Sequence, residues 1–221
     1  MREDKLGEGL LGDNRQRKSD NFFWGFLFVL IILAFAFFGA RIYISKHFSG
    51  VIVKGTSMNT TLYDGERLIM RYTDESHKAE RGDIIIVYVG DYEECSNVDG
   101  GHLIKRLIAV EGDKVQCQDG QIRIQYKGTS DWKALYEPYA YYGANDGYKS
   151  SYDFATYTVG KGEVFFLGDN RSSDDSSLDS RYQEGKSHLQ DKLYKESDII
   201  GYIPDWALKR QSFFAKLPIW S

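Results

Sequence analysis

The stretch Leu103-Ile104-Lys105-Arg106-Leu107-Ile108-Ala109-Val110-Glu111-Gly112-Asp113 decides how this chain is read. Its first eight residues are apolar apart from two adjacent cations, and Glu-Gly-Asp follows, so it predicts a strand that ends in a turn. Alternation places Leu103, Lys105 and Leu107 on one face. A lysine between two leucines points into the apolar side of a sheet. Burial there disfavours its charged form and lowers its pKa from a reference of about 10.4. Reaching about 8 requires roughly 3 kcal/mol of differential desolvation. The neutral amine then accepts a proton from a hydroxyl. The competing reading is a lysine that snorkels to the surface or pairs with Asp83 or Asp179.

Upstream, Ile84-Ile85-Ile86-Val87-Tyr88-Val89 is the strongest strand signal, and Arg81-Gly82-Asp83 turns the chain into it. Arg67-Leu68-Ile69-Met70 predicts another strand after the turn Tyr63-Asp64-Gly65. Val51-Ile52-Val53 predicts a short one before Gly55-Thr56-Ser57-Met58. Ser57 is a candidate nucleophile. Gly55 lets the backbone come close to a substrate, the Ser57 N–H is available to an oxyanion, and Met58 packs into the core or lines a shallow pocket. Lys105 is the better partner for Ser57, although His102, three residues before it, leaves a Ser-His-Asp arrangement open on composition.

Further upstream, Phe22 to Ala40 carry no charge. As a helix these residues span nearly ~30 Å, enough for a bilayer core. Ala34-Phe35-Ala36 has the small-x-small form of a signal-peptide cleavage site, but four more apolar residues follow directly, which favours a retained anchor. Arg15, Arg17 and Lys18 favour a cytoplasmic N-terminus, with Arg41 and Lys46 opposing. Residues 1–20 hold five basic and five acidic side chains and predict a short polar tail.

Downstream, Val115–Cys117 and Gln121–Gln125 flank Asp119-Gly120, a hairpin signal. Residues 127–160 are rich in Tyr, Gly, Asp and Ser, and predict a small satellite lobe or long loops over a sheet. Val164-Phe165-Phe166-Leu167 leads into Gly168-Asp169-Asn170-Arg171, and Ile199–Ile203 predicts a last strand. The tail after Pro204 carries Trp206, Phe213, Phe214, Leu217 and Trp220; it rests on a bilayer face or packs on the sheet.

The 221 residues carry a net charge of −4 with no basic stripe, which argues against nucleic acid. The 16 Tyr and 4 Trp suit a domain near lipid headgroups or an ordinary β-rich core. Cys95 and Cys117 are bonded to each other in an oxidising compartment or remain two buried thiols. Neither has a second Cys or a nearby His at metal spacing.

Four blocks in order resemble the type I signal peptidases of the bacterial Ser/Lys kind. They are Gly55 to Leu62, Arg81 to Ile84, Leu103 to Asp113, and Gly168-Asp169-Asn170-Arg171 with Leu178-Asp179-Ser180-Arg181. The upstream apolar span fits the same family. The resemblance implies an all-β fold: a membrane-anchored signal peptidase-like β-fold with a coiled, partly barrel-like catalytic core and an inserted second β lobe. The expected division is a tail at 1–20, an anchor at 21–44, the core at 45–115 and 162–221, and the lobe at 116–161.

By the same resemblance Ser57 is the nucleophile of a serine endopeptidase and Lys105 its general base. Ser177 holds the amine, Asp179 and Arg181 form a supporting ion pair near Arg106, and Thr56 assists the oxyanion. The substrate is a secreted preprotein, lying extended along Ile52, Val53 and Lys54 beside Gly55 and Met58. The partners implied are signal peptides and the lipid bilayer, the enzyme is a monomer outside the cytoplasm, and no cofactor or metal is called for.

Three departures stand out. Thr60 occupies a position where the family usually has Pro. The serine-rich run Ser172 to Ser177 lengthens the last block, so counting from Gly168 sets Asp174 in the orienting place, whereas aligning on Asp179-Ser180-Arg181 sets Ser177 there. Gly55 replaces a hydroxyl found in some members. Thr60 and the altered run motivate an alternative reading: a non-catalytic relative serving pilus or surface-protein assembly.

Overall fold

The computed structural model describes residues 6–92, 95, 98–142, 153–171 and 194–209. The chain divides into two compact units, residues 1–47 and 48–221.

The first unit holds helix α1, Leu6–His47. It contains the expected anchor and also runs back through most of the polar tail. Helix propagation past an established segment adds one hydrogen bond per residue fixed, without a new nucleation cost. Within Phe22–His47 an 18-residue stretch has a mean hydropathy of 2.6, and none of that stretch is buried in the structure. Apolar side chains therefore face outward all round the helix, as a bilayer-spanning helix requires.

The second unit is built on strands β1 (Phe48–Ile52), β2 (Arg67–Tyr72), β3 (Ile84–Tyr88), β4 (His102–Val110), β5 (Lys114–Gln118), β6 (Gln121–Gln125), β7 (Lys133–Ala134), β8 (Phe154–Thr158), β9 (Glu163–Leu167), β10 (Tyr194–Lys195) and β11 (Ile199–Ile203), with a short helix α2 (Asp205–Leu208). Seven strands form one sheet in the order β1-β2-β11-β3-β4-β9-β10, and four form a smaller sheet, β7-β6-β5-β8. Every strand pair is antiparallel. The all-β expectation and the second lobe are both realised. The lobe's first strand begins at Lys114, where the sequence placed its start at 116.

Sheet positions follow from side chains. Ile84 and Ile86 face one core with Val53, Met58, Leu62, Leu68 and Ile203. Ile85 and Val87 face another with Leu103, Leu107, Phe166 and Tyr194. Both faces of β3 are covered, so its sequence is continuously apolar instead of alternating. A third core joins the two sheets: Ile108, Ala109, Phe165 and Leu167 pack on Val115, Cys117, Ile122, Ile124 and Phe154. Consecutive residues Ile108 and Ala109 share this core because the β4–β9 register shifts between Leu107 and Ala109. Such a bulge bends and coils a sheet.

The β5–β6 hairpin turns at Asp119 (φ 50°) and Gly120 (φ 70°), and both of their N–H groups donate to the Asp153 carboxylate. The turn into β3 is fixed by a fork from Arg81 to fully buried Asp113, at 2.7 and 2.9 Å. Asp113 also accepts from the Val110 and Lys127 N–H groups. Cys95 lies in the second core and Cys117 in the third, both buried and not joined in a disulfide, so the disulfide alternative does not hold. Burial first, with nearby Asp153 adding to it, pushes the Cys117 thiol up to about 12.

Candidate active site

After β1 the chain makes one more exchange with the β2 side. Val53 donates to the Glu66 carbonyl at 2.8 Å and accepts from Gly65 at 2.9 Å. Gly55 then takes φ +81°, with open space where a Cβ would stand. The requirement for glycine here is therefore conformational. Its N–H donates to Asp64 Oδ1 at 2.7 Å. Residues 56–62 coil into tight turns, with Asn59 donating to Thr56 and both Thr61 and Leu62 donating to Met58. Met58 and Leu62 are buried in the first core, which pins the loop from below. Ser57, half-buried, sits between the exposed Gly55-Thr56 rim and that anchor.

The other wall is the chain after β9. Asn170 donates its backbone N–H to the Ser57 carbonyl at 3.0 Å and its side-chain amide to the Thr56 carbonyl at 3.1 Å. A Cβ on Gly168 would overlap the same Ser57 oxygen. Thr61 Oγ1 donates to Asp169 Oδ2 at 2.5 Å. Asp169 is fully buried and takes a fork from Arg106, Nε at 2.8 Å and Nη2 at 2.5 Å. Arg106 Nη1 donates to the Gly82 carbonyl at 2.6 Å, and its guanidinium lies 3.8 Å from the Tyr139 ring centre. Removing one partner from a buried pair of this kind costs about 3–5 kcal/mol.

Lys105 is 3% exposed, so the snorkelling reading does not hold. It pairs with Ile85 on β3. On the other side Arg106 is opposite Leu167, and one further step in that register sets Lys105 opposite Gly168. Side chains opposite one another in a ladder project to the same face. The Arg106–Asp169 fork confirms the alternation beyond β9, since Leu167 and Asp169 share the Arg106 face. Gly168 thus shares the Lys105 face, and the direction its missing side chain would take leads to Ser57. The end of β9 thus neighbours both segments: one register step sets it opposite Lys105, and the Ser57 carbonyl packs against Gly168.

Of the other predicted positions, Ile52 and Lys54 are exposed, Val53 is buried, and Thr56 is exposed on the rim. Ser177, Asp179 and Arg181 lie outside the described residues, as does Asp174. His102 is exposed at the start of β4, its ring against Tyr88. Asp83 accepts from the Glu80 N–H at 2.8 Å. Burial holds its carboxyl above the ordinary range, with the Glu80 and Asp205 charges adding to the effect. Sequence reasoning assigned no part to Thr61, Asp169, Asn170, Glu137 or Tyr139. The signal for Asp169 was present: Arg106 follows an inward lysine on β4, so it enters the opposite apolar face and needs a buried anion there.

A family model described as signal peptidase, peptidase S26, matches residues 24–204. Signal peptidase I of Bacillus licheniformis is 39% identical over 142 residues, covering 61% of this chain and 66% of that protein. Signal peptidase I T of Bacillus subtilis is 34% identical over 159 residues, 70% of each chain. Signal peptidase I of Bacillus amyloliquefaciens is 31% identical over 194 residues, 84% of this chain and 85% of that protein. Among solved structures, a signal peptidase I from Enterococcus faecalis V583 is 27% identical, covers 58% of this chain and 98% of that one, and has a TM-score of 0.40.

Proposed function

The chain belongs to the signal peptidase family, peptidase S26, and from that premise we propose that it is a membrane-bound serine endopeptidase in which Ser57 and Lys105 remove signal peptides from secreted preproteins. The observation that supports this reading is a lysine buried to 3% exposure on β4, beside the end of β9 against which the Ser57 carbonyl packs. The proposal requires this amine to be neutral when Ser57 attacks.

Lys105 takes the Ser57 proton as the hydroxyl oxygen attacks the scissile carbonyl. The oxyanion forms against the Ser57 N–H, with Thr56 beside it. The protonated lysine then gives its proton to the leaving amine. Water, deprotonated by the same amine, releases the acyl group from Ser57. Ser177 orients the amine, and Asp179 and Arg181 support it as an ion pair.

The substrate adds a strand to the open edge of β1. Val53 turns both of its main-chain groups toward the β2 side, so alternation turns those of Ile52 and Lys54 to that edge. Small side chains before the cut enter shallow pockets, with Gly55 at the rim and Met58 packed beneath. Helix α1 is the anchor, its N-terminus in the cytoplasm on the strength of Arg15, Arg17 and Lys18. The catalytic unit works outside the cytoplasm as a monomer.

The test is cleavage of a preprotein carrying an Ala-x-Ala site by the purified full chain in detergent. The wild type should cut after the second Ala, and Ser57→Ala should lose activity by roughly 10³-fold or more. Equal processing by both proteins would overturn Ser57 as the nucleophile, and none by either would favour the assembly role.

A further inference from the structure

The segment that receives the Ser57 loop is itself held by the inserted lobe. Tyr141 donates to the Asp169 carbonyl at 2.8 Å, and Arg171 donates to the Tyr141 carbonyl at 2.6 Å. The two stretches form a parallel bridge between Tyr141 and Asn170. Glu137 receives the fully buried Arg171 guanidinium through Nη2 at 2.5 Å and Nη1 at 3.3 Å. Arg171 Nε in turn donates to the Gly168 carbonyl at 2.7 Å. Burial opposes the Arg171 charge, but the Glu137 carboxylate overcomes it and holds the group above its ordinary pKa. Tyr139 lies against Arg106 and donates its hydroxyl to Glu137 Oε1 at 3.2 Å.

Taken atom by atom, the lobe fixes the Gly168 carbonyl, the Asp169 carbonyl and the Arg171 N–H, and through Arg106 it braces the Asp169 carboxylate. What remains for the Ser57 loop is Asn170, with both its N–H groups on Thr56 and Ser57, and the Asp169 oxygen on Thr61. We propose that Glu137 and Tyr139 are positioning residues of the peptidase reaction: the lobe sets the nucleophile's geometry through Arg171 and Arg106. This rests on Ser57 being the nucleophile. The connections lead to the Ser57 loop and not to the β1 edge, so loosening them misplaces the attacking oxygen and leaves substrate docking intact. A misplacement of about 1 Å from a remote change costs up to about 10²-fold in rate.

The experiment measures kcat, KM and melting temperature of the full chain in detergent with an Ala-x-Ala preprotein. Tyr139→Leu should lower kcat by roughly tenfold or more with KM within about twofold, because the ring over Arg106 is lost. Tyr139→Phe keeps the ring and should restore kcat to within about threefold of wild type. Glu137→Gln should repeat the Tyr139→Leu signature and is read in its place if Tyr139→Leu does not fold. Unchanged kcat in the folded variants, a raised KM with kcat intact, or equal losses in Tyr139→Leu and Tyr139→Phe would overturn the proposal. So would failure of both Tyr139→Leu and Glu137→Gln to fold, since the contacts would then serve folding alone. Ser57→Ala is run beside them. If it stays active, the nucleophile assignment falls; if it is dead and the lobe variants turn over normally, only the positioning role falls.

Discussion

Gly168 has no room for a methyl group. The atom in its way is the Ser57 carbonyl oxygen, a backbone atom that does not swing aside as a side chain would. Gly168→Ala should therefore force the two segments apart, costing about 1–3 kcal/mol of stability and lowering turnover, since the displaced carbonyl belongs to Ser57. Denaturant unfolding and cleavage rates on the same preparation check this; a variant with wild-type values in both would mean that the contact is slack. The burial of Lys105 was legible in the sequence because a lysine stands there inside an aliphatic strand. The need for glycine at 168 was not, because the atom it avoids belongs to a loop more than a hundred residues earlier. Thr60, where relatives usually carry Pro, sits exposed in the Ser57 loop, and Thr61 beside it supplies the hydroxyl bonded to Asp169.

Strand β4 organises the elements. One of its faces gives Leu103 and Leu107 to one core, and the other gives Arg106 to Asp169. The bulge near its end sends Ile108 and Ala109 together into the core shared with the lobe. The main strands were readable because their β-branched runs are bounded by Gly-Asp turns. The lobe's outer strands were not: β7 has two residues, and β8, Phe154–Thr158, carries few aliphatics and takes its place from Phe154 packed on Phe165. Asp83, in the turn into β3, gives a pH-dependent prediction. Its folded carboxyl binds a proton more tightly than the unfolded chain does, with burial the main cause. The stability it contributes is fully present below the unfolded pKa of about 3.9 and is lost as pH rises through the folded value. Asp83→Asn removes that loss. Its melting temperature relative to wild type should climb from pH 4 upward and then level off. A difference that is flat with pH would contradict the burial effect.

On the scale of the whole molecule, the described residues form an apolar helix and a β unit with three cores. The anchor was legible from charge-free length alone. The helix extends beyond it at both ends, because propensity carries a helix past the segment that hydrophobicity marks. The cysteines were ambiguous in sequence, since an outer compartment permits a bond; in the fold they occupy different cores. Tethering an enzyme and its substrate to one membrane raises their effective concentration, which suits the proposed capture of a short extended segment. The proposed chemistry depends on pairing Lys105 of β4 with Ser57 in the loop after β1, the chain after β9 lying against that loop. The most direct test is the rate of preprotein cleavage by Lys105→Met, a substitution that keeps the buried chain length and removes the amine. The variant should fold and cleave about 10²- to 10⁴-fold more slowly than wild type; a folded Lys105→Met protein that cleaves within twofold of wild type would contradict the dyad.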